Sequence, residues 1–125
     1  MNNDISMNSE AKKFHSLLDD EWKKNVEDYP EWATQLGDNR FNDKLNDASY
    51  EKIIQRQSKT RELLEKIKDI DRSALSVEDQ LNYDLFLNGL IHGVTGFEFL
   101  SYLMPISQMG GLQISFAGIS NYMPF

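Results

Sequence analysis

Few side chains in this chain have the types and spacing that chemistry requires. His15 and His92 are the two imidazoles among 125 residues, and cysteine is absent. Without thiols there is no disulfide, no thiol nucleophile and no cysteine-based zinc site. His15 falls beside the apolar face of a helix, where an edge imidazole is the expectation rather than a ligand. His92 falls inside an apolar helix and reads as a hydrogen-bonded core histidine. Paired with a carboxylate, it is also the candidate for metal-independent acid–base chemistry.

Carboxylates cluster at Asp19, Asp20 and Glu21, and again at Glu27 and Asp28. Successive helical residues point in different directions, so neither cluster forms a catalytic pair alone and both read as solvated faces. The stretch "DNRFND" offers oxygen-rich side chains to a calcium ion. It lacks the alternating acids, central glycine and closing glutamate of an EF-hand, so turns are the expectation. Arg40 within it is placed to pair with a carboxylate and fix the loop. "SQMGG" has no following Lys-Ser or Lys-Thr, so it is read as a tight turn rather than a phosphate cradle. Trp22 and Trp32 read as core anchors. The sequence therefore assigns no catalytic, cofactor-binding or metal-ligating residue to this chain.

The elements that must position these residues are helical. Ser9 reads as the cap of a first helix running to Tyr29, with Phe14, Leu17, Leu18, Trp22 and Val26 on one face. Pro30 and Gly37 bracket a short helix. A loop rich in Asp and Asn leads to Ser49, which caps a long helix from Tyr50 to about Ile70. That helix has no large apolar residue between Gln55 and Glu62, so its middle is expected to be solvated or thinly packed. Ser76 with Asp79 resembles a capping box and opens a fourth helix, from Val77 to about Leu100. Apolar residues ring most of the fourth helix, which predicts burial on several sides. Gly89, Gly93 and Gly96 would permit close backbone contact there. Beyond Met104, Pro105 and the Gly110–Gly111 pair predict loop or short extended pieces.

Charge is unevenly shared. The net charge is −7, from 20 acidic and 13 basic residues, which disfavours nucleic acid and anionic membranes as partners. Yet the last charged residue is Glu98, and Phe99–Phe125 carry none. That stretch holds fourteen large apolar residues, and burying each is worth about 1.5–3 kcal/mol. Pro105, Gln108, Gly110, Gly111 and Gln113 interrupt it too often for a membrane span. The expectation is that it is covered by protein, only partly by four helices with charged outer faces. The first 20 residues show no apolar signal-peptide core.

The strings "EWATQLGDNRFNDKLNDAS", "LSVEDQLNYDLFL" and "YLMPISQMGG", in that order and spacing, resemble the opening of the bacterial domain-of-unknown-function family 885. The resemblance runs from about Phe14 onward. It implies a much longer, mainly helical parent similar to gluzincin-type zinc peptidases, with a His-Glu-x-x-His helix far downstream. It also implies an exported or periplasmic location. Neither His15 nor His92 is followed by Glu, so that motif does not transfer to this chain.

The expected fold is all-α, about four helices with a loop-rich apolar C-terminal stretch, a fragment of a larger helical protein. Residues 1–8 are expected to be flexible, 9–100 helical, and 101–125 packed on the remainder of the same polypeptide. The leading functional expectation is a non-catalytic N-terminal segment of a zinc-dependent metallopeptidase-like protein, walling its substrate cleft. On this reading the zinc and the peptide substrate belong to the parent, and the 125-residue chain alone is inactive. The rival is a helical protein–protein interaction module with an apolar docking surface.

Overall fold

The computed structural model describes residues 8–121. The chain is all-α, and no strand occurs among the described residues. Its helices are α1 (Ser9–Asp28), α2 (Pro30–Gln35), α3 (Tyr50–Lys68), α4 (Val77–Gly96) and α5 (Leu112–Ala117). Short 3-10 turns lie at Asn39–Phe41, Arg72–Ala74, Phe97–Phe99, Ser101–Leu103 and Ile119–Asn121. Of the segment expected to be flexible, only Asn8 falls within the described residues.

The caps show how local sequence places each start. Asn8, not Ser9, caps α1: its side-chain oxygen accepts from the Ala11 amide at 2.8 Å. The Asn8 side-chain amide also donates to the Ala74 carbonyl. A serine hydroxyl at position 9 has no such second reach, so asparagine takes the cap and Ser9 becomes the first helical residue. Ser49 and Ser76 cap α3 and α4 as expected, accepting from Lys52 N at 3.3 Å and Asp79 N at 3.1 Å. Pro30 opens α2, and Gly37 follows its end with φ +86°, a left-handed conformation that glycine adopts without a Cβ penalty.

The core lies where α1, α3 and α4 converge. Phe14 from α1 meets Leu63 and Ile67 from α3 and Tyr83 and Leu90 from α4. Ile70 and Leu75, from the α3–α4 connection, close the same cluster. Phe14 and Ile67 are fully buried, at 0% exposure. The Phe14 and Tyr83 rings pack with centroids 6.0 Å apart in a tilted geometry.

Several expectations fail on packing. Helix α4 is not buried on several sides: Tyr83 and Leu90 are buried, while Val77, Leu81 and Leu85 are exposed at 86%, 59% and 64%. Its apolar residues occupy two opposite faces, and α1 and α3 cover only one. The glycines of α4 do not mediate close contact. A Cβ at Gly89 or Gly96 would meet nothing, and one at Gly93 would only touch Thr60 at 3.9 Å. Helix α4 stops at Gly96 rather than Leu100, because the chain tightens into a 3-10 turn and Leu100 then adopts φ +48°. Trp22 and Trp32 are not core anchors. They are exposed at 54% and 38% and meet each other edge to face, with centroids 5.3 Å apart across the α1–α2 corner.

The C-terminal stretch differs again. Leu112–Ala117 is helical where loop or extended structure was expected. Before it, Ile106 and Gly111 form an isolated antiparallel bridge, closed by Ser107 N donating to Gly110 O at 2.8 Å. Gly111 sits at φ +144°. "SQMGG" is thus the tight turn its glycines allow.

Candidate functional site

The two histidines lie on different elements with different partners. His15 is half-buried on α1, and its Nε2 lies 2.9 Å from Asp79 Oδ1 in the first turn of α4. This contact holds the Asp79 carboxyl below its usual range. Asp79 thus bridges α4 to α1 while its own amide is capped by Ser76 and its carboxylate also interacts with the Ser76 side chain. His92 is exposed on α4, in register with the uncovered Val77–Leu81–Leu85 stripe. It is not a core histidine. Among the described residues no carboxylate lies within hydrogen-bonding distance of it, so the acid–base pair considered for it has no second member. No group of three or more His, Asp or Glu among the described residues is arranged to hold a metal ion.

The carboxylate clusters split as helical geometry requires. Asp19 and Asp20 face solvent, while Glu21 and Asp28 turn partly inward. Burial raises the Glu21 carboxyl above its usual range; Lys24, 3.8 Å away, opposes this and Asp28 adds to it. Asp28 is paired with Lys52 of α3 at 2.6 Å. A groove of about 500 Å³ between α1 and α3 is lined by side chains of both signs. Lys23 and Lys24 pair with Asp20 and Glu21 on the same helix, so much of the groove's charge is already partnered within α1.

Arg40 fixes the "DNRFND" loop as expected. Its Nε and Nη2 donate to the Asp38 carboxylate at 2.9 and 2.6 Å. The Asp38 carboxyl is held near a pKa of about 2, chiefly by this contact. Asp38 also accepts from Arg40 N at 3.2 Å, and Thr34 of α2 donates to Asn42 Oδ1 at 2.9 Å, so the stretch forms a turn tied back to α2.

Arg56 escaped the reading of the sequence. It lies in the part of α3 that lacks large apolar residues, where no periodicity marks it. Folding brings its Nη1 within 2.7 Å of the Asp47 carbonyl and its Nη2 within 2.7 Å of the Asp28 carbonyl. Its guanidinium lies 4.7 Å from the centroid of Tyr29. Its Nε is buried with no hydrogen-bond partner. One side chain therefore ties the end of α1, the loop before α3 and α3 itself. The available signal was one of two arginines in an apolar-free stretch, which does not separate it from a solvated residue.

The largest uncovered feature is apolar. Of the fourteen large apolar residues beyond Glu98, Tyr122, Met123 and Phe125 lie outside the described residues. Tyr102 and Ile119 are half-buried; the other nine are exposed, up to 92% at Met109. The chain itself does not cover this stretch. No helix among the described residues is long and apolar enough to cross a membrane.

Comparison with known proteins gives a family match. No curated protein and no solved structure is detectably similar to the chain. The profile of the family described as "Bacterial protein of unknown function (DUF885)" matches residues 30–125, from the start of α2 through the apolar end, and so begins later than the resemblance from about Phe14. The chain belongs to that family.

Proposed function

We propose that the chain is a non-catalytic helical segment of a larger, zinc-dependent metallopeptidase-like protein. Its uncovered apolar faces pack against the rest of that protein and help wall a substrate cleft. The observation that carries the packing is the exposure of Val77, Leu81 and Leu85 on α4 together with Leu103, Met104 and Met109 beyond it. Exposed apolar side chains in such number mark a contact with other protein. The peptidase character rests on the resemblance of the three strings named above.

The residues present do not fit a zinc site of that type. Such a site needs two histidines one helical turn apart on one helix with a glutamate beside the first. His15 and His92 lie on different helices. No step of peptide hydrolysis is assigned to this chain; on this reading the ligands, the base and the peptide-binding groups lie outside it.

The test joins coding sequence to surface chemistry. Reading the DNA beyond the Phe125 codon is expected to give a continuous frame encoding His-Glu-x-x-His. The 125-residue chain is expected to bind the apolar dye ANS, and the longer polypeptide to bind much less. A stop codon directly after Phe125, or a compact monomer that ignores ANS, overturns the reading. Strong ANS binding retained by the longer polypeptide would favour the second reading, a docking module for another protein, which uses the same apolar face.

A further inference from the structure

Between α3 and the turns that follow α4 lies a cavity of about 260 Å³. Its walls include Tyr29, Arg56, Gln57, Thr60, Phe97 and Tyr102. In a chain of net charge −7, no Asp or Glu lines it, and Arg56 is its one charged lining residue.

Arg56 is half-buried, and no carboxylate among the described residues pairs with it. Its two hydrogen bonds go to neutral main-chain carbonyls, those of Asp47 and Asp28. Carbonyls orient a guanidinium but do not cancel its charge. Each terminal nitrogen carries a second N–H beyond the one so used. The Asp47 carboxylate feels this cation only at longer range, without an ion pair, and a partly desolvated cation with no carboxylate in contact favours an anion that reaches it.

The aromatic walls are braced from behind. Arg61 lies 5.2 Å from the centroid of Phe97, and Tyr50 packs on Tyr102 at 5.9 Å. Tyr29 lies against the Arg56 guanidinium. Held rings beside a fixed cation form an apolar slot with one charged end, a pattern suited to orienting a small ligand.

We propose that this cavity binds a small aromatic carboxylate, its ring against Phe97 and Tyr102 and its carboxylate toward Arg56. The assignment stands apart from the peptidase reading, because it needs no zinc and no residue outside the chain.

The test is an NMR titration of the 125-residue chain with phenylacetate, phenylacetamide and benzylamine, following Arg56, Phe97 and Tyr102. Phenylacetate is expected to saturate these signals with a Kd of about 1–10 mM. Phenylacetamide should bind about tenfold more weakly, and benzylamine should leave the signals unmoved. Gln57→Trp, which fills the cavity and leaves both Arg56–carbonyl bonds in place, is expected to abolish the shifts. Arg56→Gln is expected to erase the preference for carboxylate over amide. Should that variant unfold, the Gln57→Trp result and the ligand series still decide. Equal affinity for carboxylate and amide, phenylacetate shifts that survive Gln57→Trp, or no saturable binding at all would each overturn the proposal.

Discussion

Residues 9–96 and residues 97–121 are both rich in apolar side chains, and the fold treats them oppositely. In the first region Phe14, Ile67 and Leu90 lie on helix faces that oppose one another, so each supplies the others' cover. In the second, Leu112, Ile114 and Phe116 sit on a helix of only six residues that has no long partner. Apolar side chains are denser in the second region, 13 of 25 residues against 31 of 88, yet it is the less covered; what decides is whether a second surface of matching length stands opposite. Burial is a property of pairs of elements, which is why composition alone misjudges it.

Charge follows the same division. The first region carries bridges between elements, such as Lys52–Asp28 and Arg72–Asp84. The second carries no Asp, Glu, Lys or Arg beyond Glu98. Its polar order comes from local turns, as where Ser107 Oγ donates to Gly110 O at 3.2 Å and Ser115 Oγ to Gly111 O at 2.7 Å. The first region is held by contacts between distant parts of the chain; in the second, Phe97 and Tyr102 still reach α3, and the order beyond them comes from contacts between near neighbours.

Phe14→Ala offers the strongest challenge to this contrast. It empties the site where the three long helices meet and is expected to cost about 3–5 kcal/mol in chemical denaturation. Phe116→Ala, at 60% exposure, is expected to change the stability of the same chain by less than about 0.5 kcal/mol. Similar losses from both would show that the second region shares the core, and the contrast would fail.

A smaller effect sharpens the distinction at helix starts. Ser76→Ala removes the hydroxyl that accepts from Asp79 N and is expected to cost about 1 kcal/mol. Helix α5 has no side-chain cap at Gly111. Gly111→Ala there tests backbone strain at φ +144° rather than capping, so the two variants separate by how the helical signal responds in circular dichroism.

The smallest effect is acid dependence, confined to the charged region. The Asp38 carboxyl is depressed from 3.8 to about 2 by Arg40. A carboxyl whose folded pKa is lowered adds stability that is present above its unfolded value and is lost as pH falls through the folded one. The contribution therefore fades between about pH 4 and pH 2, and it is small because the group is solvent-facing. Carbon-detected NMR titration of Asp38 is expected to give a midpoint near 2, moving up toward 3.8 in Arg40→Gln. No equivalent titration is expected between Phe99 and Asn121, which hold no ionisable carboxyl side chain.

Much of the fold was legible because its signals are local. Ser49 and Ser76 at helix starts, Pro30 and Gly37 around α2, and the Phe14, Leu63 and Ile67 spacings all depend on residues within a turn or two. The misreadings came where an outcome depends on distant residues. Trp22 and Trp32 looked like anchors by type, yet α1 and α2 meet at a corner that leaves both rings at the surface. His92 looked buried because its helix is apolar, yet the face it occupies has no neighbour.

The amino-acid order by itself determined the four main helices, the caps of α3 and α4, the division between a charged front and an uncharged end, and membership in the family. Those features arise from short-range backbone preferences and from hydrophobic period. Tertiary structure alone decided which side of α4 is covered, that Asp79 meets His15, and that Arg56 lies against Tyr29 in a cavity it shares with Phe97 and Tyr102. Each of these requires side chains far apart in sequence to reach the same few ångströms, and no local periodicity encodes that meeting.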